Sequence, residues 1–259
     1  MIAVTRQLKF RFIAALMVLS VAINLYFYFY NRQYLPYILY FAIFFMAMAA
    51  SISYLNAQAF RTKNSLGRVW KSFAIALAIW TFTNGVSTIY VTATNTVFPY
   101  FWSLVIIDII GYLVFAYASI QLLHFVDLIK TSNAKVPLAR LFLLATLASL
   151  ILLGGTLTYL YFRLGTSDYL FTIYLLADMI IAGSMLFPLM SLSKLSIQRP
   201  FALFIFGFVL LILAEASYYL FVILGIYQFL YVGSPQHFLY LIAFGFFALG
   251  AYDQKRQLA

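Results

Sequence analysis

Three acidic residues, Asp108, Asp178 and Glu215, lie inside long apolar stretches, and Asn84 lies inside a fourth. A carboxyl at the centre of a bilayer-crossing helix costs at least ~2.5–3.5 kcal/mol on insertion scales unless it is paired or hydrated. Two kinds of chemistry follow. The four residues can line a hydrated, outward-facing cavity that binds a proton, a cation or a polar ligand. Alternatively, the acids are protonated and hydrogen-bond between helices, fixing their packing. Both readings stay open, because a sequence sets depth along a helix but not the direction a side chain faces.

Other chemistries have less to work with. His124 ends one apolar stretch and His237 begins another, on opposite faces of a membrane whose core is ~30 Å thick. The pair therefore cannot hold one haem iron, and His124 reads as an interfacial polar residue. The chain has no cysteine, so disulfides, thiolate catalysis and Cys-ligated metals are excluded. Neither haem nor zinc is expected, and no metal or other cofactor. Every lysine lies in a loop or tail, which removes the Schiff-base residue a retinal protein needs. No Walker-type glycine loop, His-Glu-x-x-His or nucleophile elbow occurs. An enzyme is not expected, and no residue is assigned a catalytic role.

The elements that must position these residues are membrane spans. The chain is 66% hydrophobic and 8% charged, with too few polar side chains to cover a water-soluble surface. Eight apolar stretches can be cut at 12–30, 36–57, 72–92, 100–124, 141–162, 169–192, 201–224 and 237–252. Each is about the length of the ~20 residues a bilayer core requires. Fourteen of the 16 Lys and Arg then fall on one side, leaving only Arg32 and Arg163 on the other. Positive loops stay cytoplasmic, so both termini are expected inside a cell membrane, against anionic headgroups. A seven-span division breaks the alternation.

Counted at ~1.5 Å per residue from the outer ends of their spans, Asp108 and Asn84 lie ~12 Å deep, and Asp178 and Glu215 ~14 Å deep. Four polar groups from four helices thus share one layer, with no Lys or Arg at that depth. Tyr26, Tyr28, Tyr30, Tyr34, Tyr37, Tyr100, Trp102, Tyr227 and Tyr231 crowd the outer ends as an interfacial aromatic belt. Span one has a basic front and no small-residue cleavage site, and reads as an uncleaved signal anchor. Gly154-Gly155 and Gly183-Ser184 read as close helix-packing points, and Pro188 as a kink in span six.

The halves share a plan. Spans three and four, like spans seven and eight, are joined by an uncharged outer loop, one ending around Pro99 and the other around Pro235. Aligning those prolines, with the second loop about five residues longer, sets Asn84 opposite Glu215. Two tandem four-helix units result, 1–130 and 131–259, in the same orientation.

Along the first unit run Gly67-Arg68-Val69-Trp70, Ala76-Leu77-Ala78-Ile79-Trp80, Asn84, Tyr90, Pro99, Trp102, Asp108 and Gly111-Tyr112. The second has Asp178, Ala214-Glu215, Tyr218, Tyr227, Gly233, Pro235, Leu239-Tyr240-Leu241-Ile242 and Tyr252-Asp253. This order resembles the N-terminal membrane input regions of prokaryotic sensor histidine kinases and diguanylate cyclases, over about two thirds of the chain. Those proteins carry a cytoplasmic output domain after the last span, whereas this sequence ends at Ala259. The resemblance therefore implies output through a separate cytoplasmic or membrane partner.

The expectation is an all-α polytopic membrane protein of eight helices. Its role would be a receptor-like or scaffold module coupling an outward-facing polar cavity to a cytoplasmic partner. The alternative is a channel or transport component of a translocation machine, such as an archaeal DNA-import system. Only under that alternative would nucleic acid be a partner.

Overall fold

A backbone inside hydrocarbon has no water to bond, so each apolar stretch must satisfy its own amides and carbonyls. The computed structural model describes residues 2–30, 37–60, 64–94, 102–129, 177–185, 198–223 and 235–258, and their regular structure is helical throughout. The helices are α1 (Ile2–Tyr30), α2 (Ile38–Ala59), α3 (Ser65–Thr94), α4 (Trp102–Ile129), α5 (177–185), α6 (Gln198–Ile223) and α7 (Pro235–Leu258). Span five, Gly154-Gly155, Pro188 and the loop around Pro99 lie outside the described residues, as does span six beyond α5.

Several helices outrun the apolar stretches that announce them. α1 carries Lys9 and Arg11 within it, and α3 starts at Ser65 and takes in Arg68 and Lys71. Hydropathy marks only the part in hydrocarbon, while the hydrogen-bond ladder continues into the polar boundary. Local signals set the ends. Asn64 caps α3, its Oδ1 accepting the Leu66 amide at 3.3 Å and its carbonyl accepting the Arg68 amide at 3.0 Å. Pro235 opens α7, where its missing N–H costs nothing, and Lys255 and Arg256 in the last turn suit the negative end of the helix.

Five helical segments are long and apolar enough to cross a membrane: Gln7–Tyr30, Ile38–Ala59, Ser65–Thr94, Ser103–Leu122 and Arg199–Ser217. These are the marks of a multi-pass membrane protein. α7 is not among them, although it is a helix of 24 residues. Its surroundings explain why. α7 packs on α6, on α2 and along α1, and nearly every residue from Leu241 to Gln254 is buried or half-buried. A helix enclosed by protein need not be lipophilic all round. α3 packs between α2 and α4.

Aromatic rings fill the middle. Phe73 of α3 stacks on Phe204 of α6 at 4.7 Å, Trp70 stacks on Phe201 at 5.5 Å, and Phe115 of α4 meets Phe208 edge-on at 5.2 Å. Phe247 of α7 stacks on Phe204 at 5.1 Å. Among the described residues the backbones of α3 and α6 do not approach closely, so these rings span the gap. In a bilayer such contacts gain little from leaving lipid. They hold through dispersion and ring geometry, ~0.5–1.5 kcal/mol per aromatic pair. Where backbones do close up, glycine permits it. A Cβ on Gly250 would lie 2.7 Å from the Pro200 carbonyl oxygen, and one on Gly111 would lie 2.7 Å from Trp80 Nε1. The opposite faces carry Phe12, Val18, Phe44, Phe82, Leu113, Phe206 and Leu213, all exposed, as lipid-facing positions require.

Candidate functional site

The C-terminal half of α3 and the N-terminal half of α4 lie side by side, as do the C-terminal half of α6 and the start of α7. The intramembrane acids sit where these two hairpins meet α5. Thr83 Oγ1 on α3 donates to Asp108 Oδ1 on α4 at 2.8 Å, while Trp80 Nε1 donates to the Asp108 carbonyl at 3.4 Å. One turn further along α4 stands Tyr112, its ring 4.7 Å from that of Trp80. The spacing of four puts Asp108 and Tyr112 on one helix face. Tyr112 is hydrogen-bonded to the carboxyl of Asp178 on α5. On the other hairpin, the Tyr240 hydroxyl of α7 donates to Glu215 Oε1 of α6.

These pairs form one cluster. Asp178 is within electrostatic reach of both Glu215 and Asp108, and Tyr112 is within reach of all three acids and of Tyr240. Asp178 is 1% exposed and Glu215 5%, while Asp108 is half-buried. The remaining oxygen of Asp178, Oδ1, is buried with no hydrogen-bond partner among the described residues. Each carboxyl thus takes one hydroxyl donor from a different helix, which suits an oxygen carrying negative charge. The described Lys and Arg side chains lie toward the opposite ends of these helices. Among the described residues no group of three His, Asp or Glu has the arrangement of a metal site.

The structure therefore brings Asp108, Asp178 and Glu215 together and leaves Asn84 outside. Asn84 is exposed on α3, its amide donating to the Trp80 carbonyl at 2.9 Å. The neighbouring Thr83 holds the position facing α4. Thr83, Tyr112 and Tyr240 are the partners that depth counting does not find. A hydroxyl one turn from an acid, as in Asp108 and Tyr112, is the signal that was there to read.

No family model, curated protein or solved structure matches this chain. The reading of the cluster rests on its own chemistry.

A second polar knot closes the other end of the bundle. Asp253 of α7, fully buried, pairs with Arg256 Nη2 at 2.7 Å and with Arg199 Nε of α6 at 3.5 Å. Both guanidinium groups also lie over the Phe10 ring of α1, at 5.1 Å for Arg199 and 5.7 Å for Arg256. Nearby, Asn56 of α2 donates to the Ala251 carbonyl at 2.8 Å. Three helices, α1, α2 and α6, are thus tied around the end of α7. His124, near the C-terminal end of α4, is exposed at this end, and His237 lies at the far end beside Tyr240, with ring centroids 6.3 Å apart.

Proposed function

We propose that this chain is a non-enzymatic, eight-span protein of the cell membrane, both termini cytoplasmic, that couples the carboxyl cluster to a cytoplasmic partner. The observation that supports coupling is that α6 and α7 carry both polar knots. Glu215 and Tyr240 contribute to the carboxyl cluster, while Arg199 and Asp253 tie the opposite end. A change in charge at the cluster alters the Glu215–Tyr240 bond and hence the fit of α7 on α6. The partner reads that change at the exposed Arg199 and Lys255. The receptor-like reading agrees with the resemblance to sensor input regions, where output also lies on the cytoplasmic side.

The absence of cysteine makes the test direct. Lys255→Cys gives one labelling position for an environment-sensitive fluorophore on the full chain in lipid nanodiscs. Neutralising the cluster with Asp178→Asn and Glu215→Gln should shift the emission of that label while the protein remains folded. Identical emission in wild type and variant would sink the coupling.

A second reading is a channel or transport component. Acidic residues inside membrane-crossing helices are a common mark of ion and proton paths. Cation flux into proteoliposomes that is lost in Asp178→Asn would favour it.

A further inference from the structure

We propose that the junction of Phe10, Arg199 and Arg256 binds the phosphate of one anionic phospholipid, whose acyl chains lie in the furrow between α1 and α6. This site stands apart from the carboxyl cluster at the opposite end of the helices. It is independent of which end is cytoplasmic.

The head of the site is a surplus of positive charge. Arg199 and Arg256 share one buried carboxylate, Asp253, the first through Nε at 3.5 Å and the second through Nη2 at 2.7 Å. Lys9 and Arg11 flank Phe10 on α1, Lys255 precedes Arg256 on α7, and all three are exposed. Five cationic side chains therefore gather around a single acid. α1 carries no acid of its own, and Glu215, the acid of α6, belongs to the other end. A guanidinium offers five N–H donors in a fixed fork that matches a phosphate. The Arg199 side chain is still 55% exposed after its pairing with Asp253. Phe10 lies under both guanidinium groups, at 5.1 Å and 5.7 Å, and holds the forks in place before a ligand arrives. Little side-chain freedom is then lost on binding.

The tail of the site is apolar. α1 and α6 both pack on α7, but among the described residues their backbones do not meet, which leaves a furrow floored by α7. Arg199, Phe206 and Leu213 stand seven residues apart on one stripe of α6, and Arg11, Val18 and Leu25 do the same on α1. Each stripe begins with an arginine and continues as exposed apolar side chains. The Phe206 ring meets that of Phe246 on α7 at 4.6 Å, so the α6 stripe borders the floor. Cationic heads above apolar rails match a molecule of the same order, an anionic headgroup on hydrocarbon chains. A soluble phosphate would use the head and leave the rails bare.

Native mass spectrometry of the full chain tests this by counting the lipids that survive release from detergent. With equal amounts of phosphatidylglycerol and phosphatidylcholine present, wild type should keep one phosphatidylglycerol in preference. A basic side chain near an anionic surface is worth roughly fivefold in affinity. A phosphate bond from a preformed fork is stronger, so Arg199→Gln should weaken retention by about tenfold. Phe10→Leu keeps every charge and should also weaken it, because the forks lose their support. Lys9→Gln with Arg11→Gln touches no buried group and should repeat the loss, which guards against a variant that fails to fold. Arg68→Gln with Lys71→Gln removes two exposed charges from α3, which does not touch α1, and should leave retention nearly unchanged.

Equal retention of the two lipids, or an equal loss in the α3 variant, would reduce the site to diffuse attraction and overturn the proposal. Displacement of the lipid by inorganic phosphate or by a single-stranded oligonucleotide at the lipid's own concentration would overturn it too, since neither can use the furrow.

Discussion

At the scale of single residues, the two polar knots differ in how their charges are balanced. Asp253 is fully buried between two arginines, of which Arg199 is mostly exposed and Arg256 largely covered. Removing one partner of a buried pair strands the other, which costs ~3–5 kcal/mol, whereas an exposed ion pair is worth roughly 0–1 kcal/mol. Arg256→Ala should therefore destabilise the protein by about 3 kcal/mol or more, and Arg199→Ala by about 1 kcal/mol or less. Thermal unfolding of both variants in one detergent checks this, and equal losses would contradict the geometry. In the carboxyl cluster the relevant scale is the interhelical hydrogen bond in a membrane. Thr83→Val keeps the shape and removes the donor to Asp108, so a loss of ~0.6–1.7 kcal/mol is expected. Asn84→Ala, on the exposed face next door, should lose less. The difference between these neighbours also shows where reading a sequence runs out. Depth along a helix is countable from residue numbers, so Asp108, Asp178 and Glu215 could be placed in one layer. One residue of register is a turn of about 100° around the axis, so Thr83 and Asn84 share a depth and face different surroundings.

At the scale of elements, glycine placement makes a paired prediction. A Cβ on Gly111 would lie 2.7 Å from Trp80 Nε1, while one on Gly85 would meet nothing within 4 Å. Gly111→Ala should cost ~1–3 kcal/mol through overpacking at the α3–α4 contact. Gly85→Ala should be neutral or stabilising by up to ~1 kcal/mol, from helix propensity alone. Melting temperatures moving in the same direction would sink the α3–α4 packing described above. The helices themselves were largely legible, because runs of apolar residues leave a backbone few alternatives in a bilayer. Their ends were not, since Asn64 capping α3 is a local bond that hydropathy ignores. Nor was the central place of α7. That position depends on Gly250 and on the ring of Phe247 finding α6, and neither is a property of α7 read alone.

For the whole molecule, the charge sorting and the bundle ends agree in one respect. The described carboxyl cluster and the described Lys and Arg residues occupy opposite ends of the helices. Two polar pairs with the same separation, Thr83–Asp108 and Glu215–Tyr240, each 25 residues apart, join the two halves of their hairpins. The proposed orientation is open to impermeant thiol reagents on intact cells. Thr94→Cys should be labelled from outside, and Ser65→Cys only after the membrane is opened, as they stand at opposite ends of α3. The reverse pattern would invert the protein in the membrane. One consequence concerns synthesis. α7 is not among the helices long and apolar enough to cross a membrane, yet nearly all of its length is enclosed by protein. It follows α6 in order of translation, and the surfaces of α1, α2 and α6 that receive it are made before it. Insertion of α7 is therefore a docking event rather than a solitary partitioning, and defects at Gly207 or Phe204 on α6 would strand a later helix at the membrane interface.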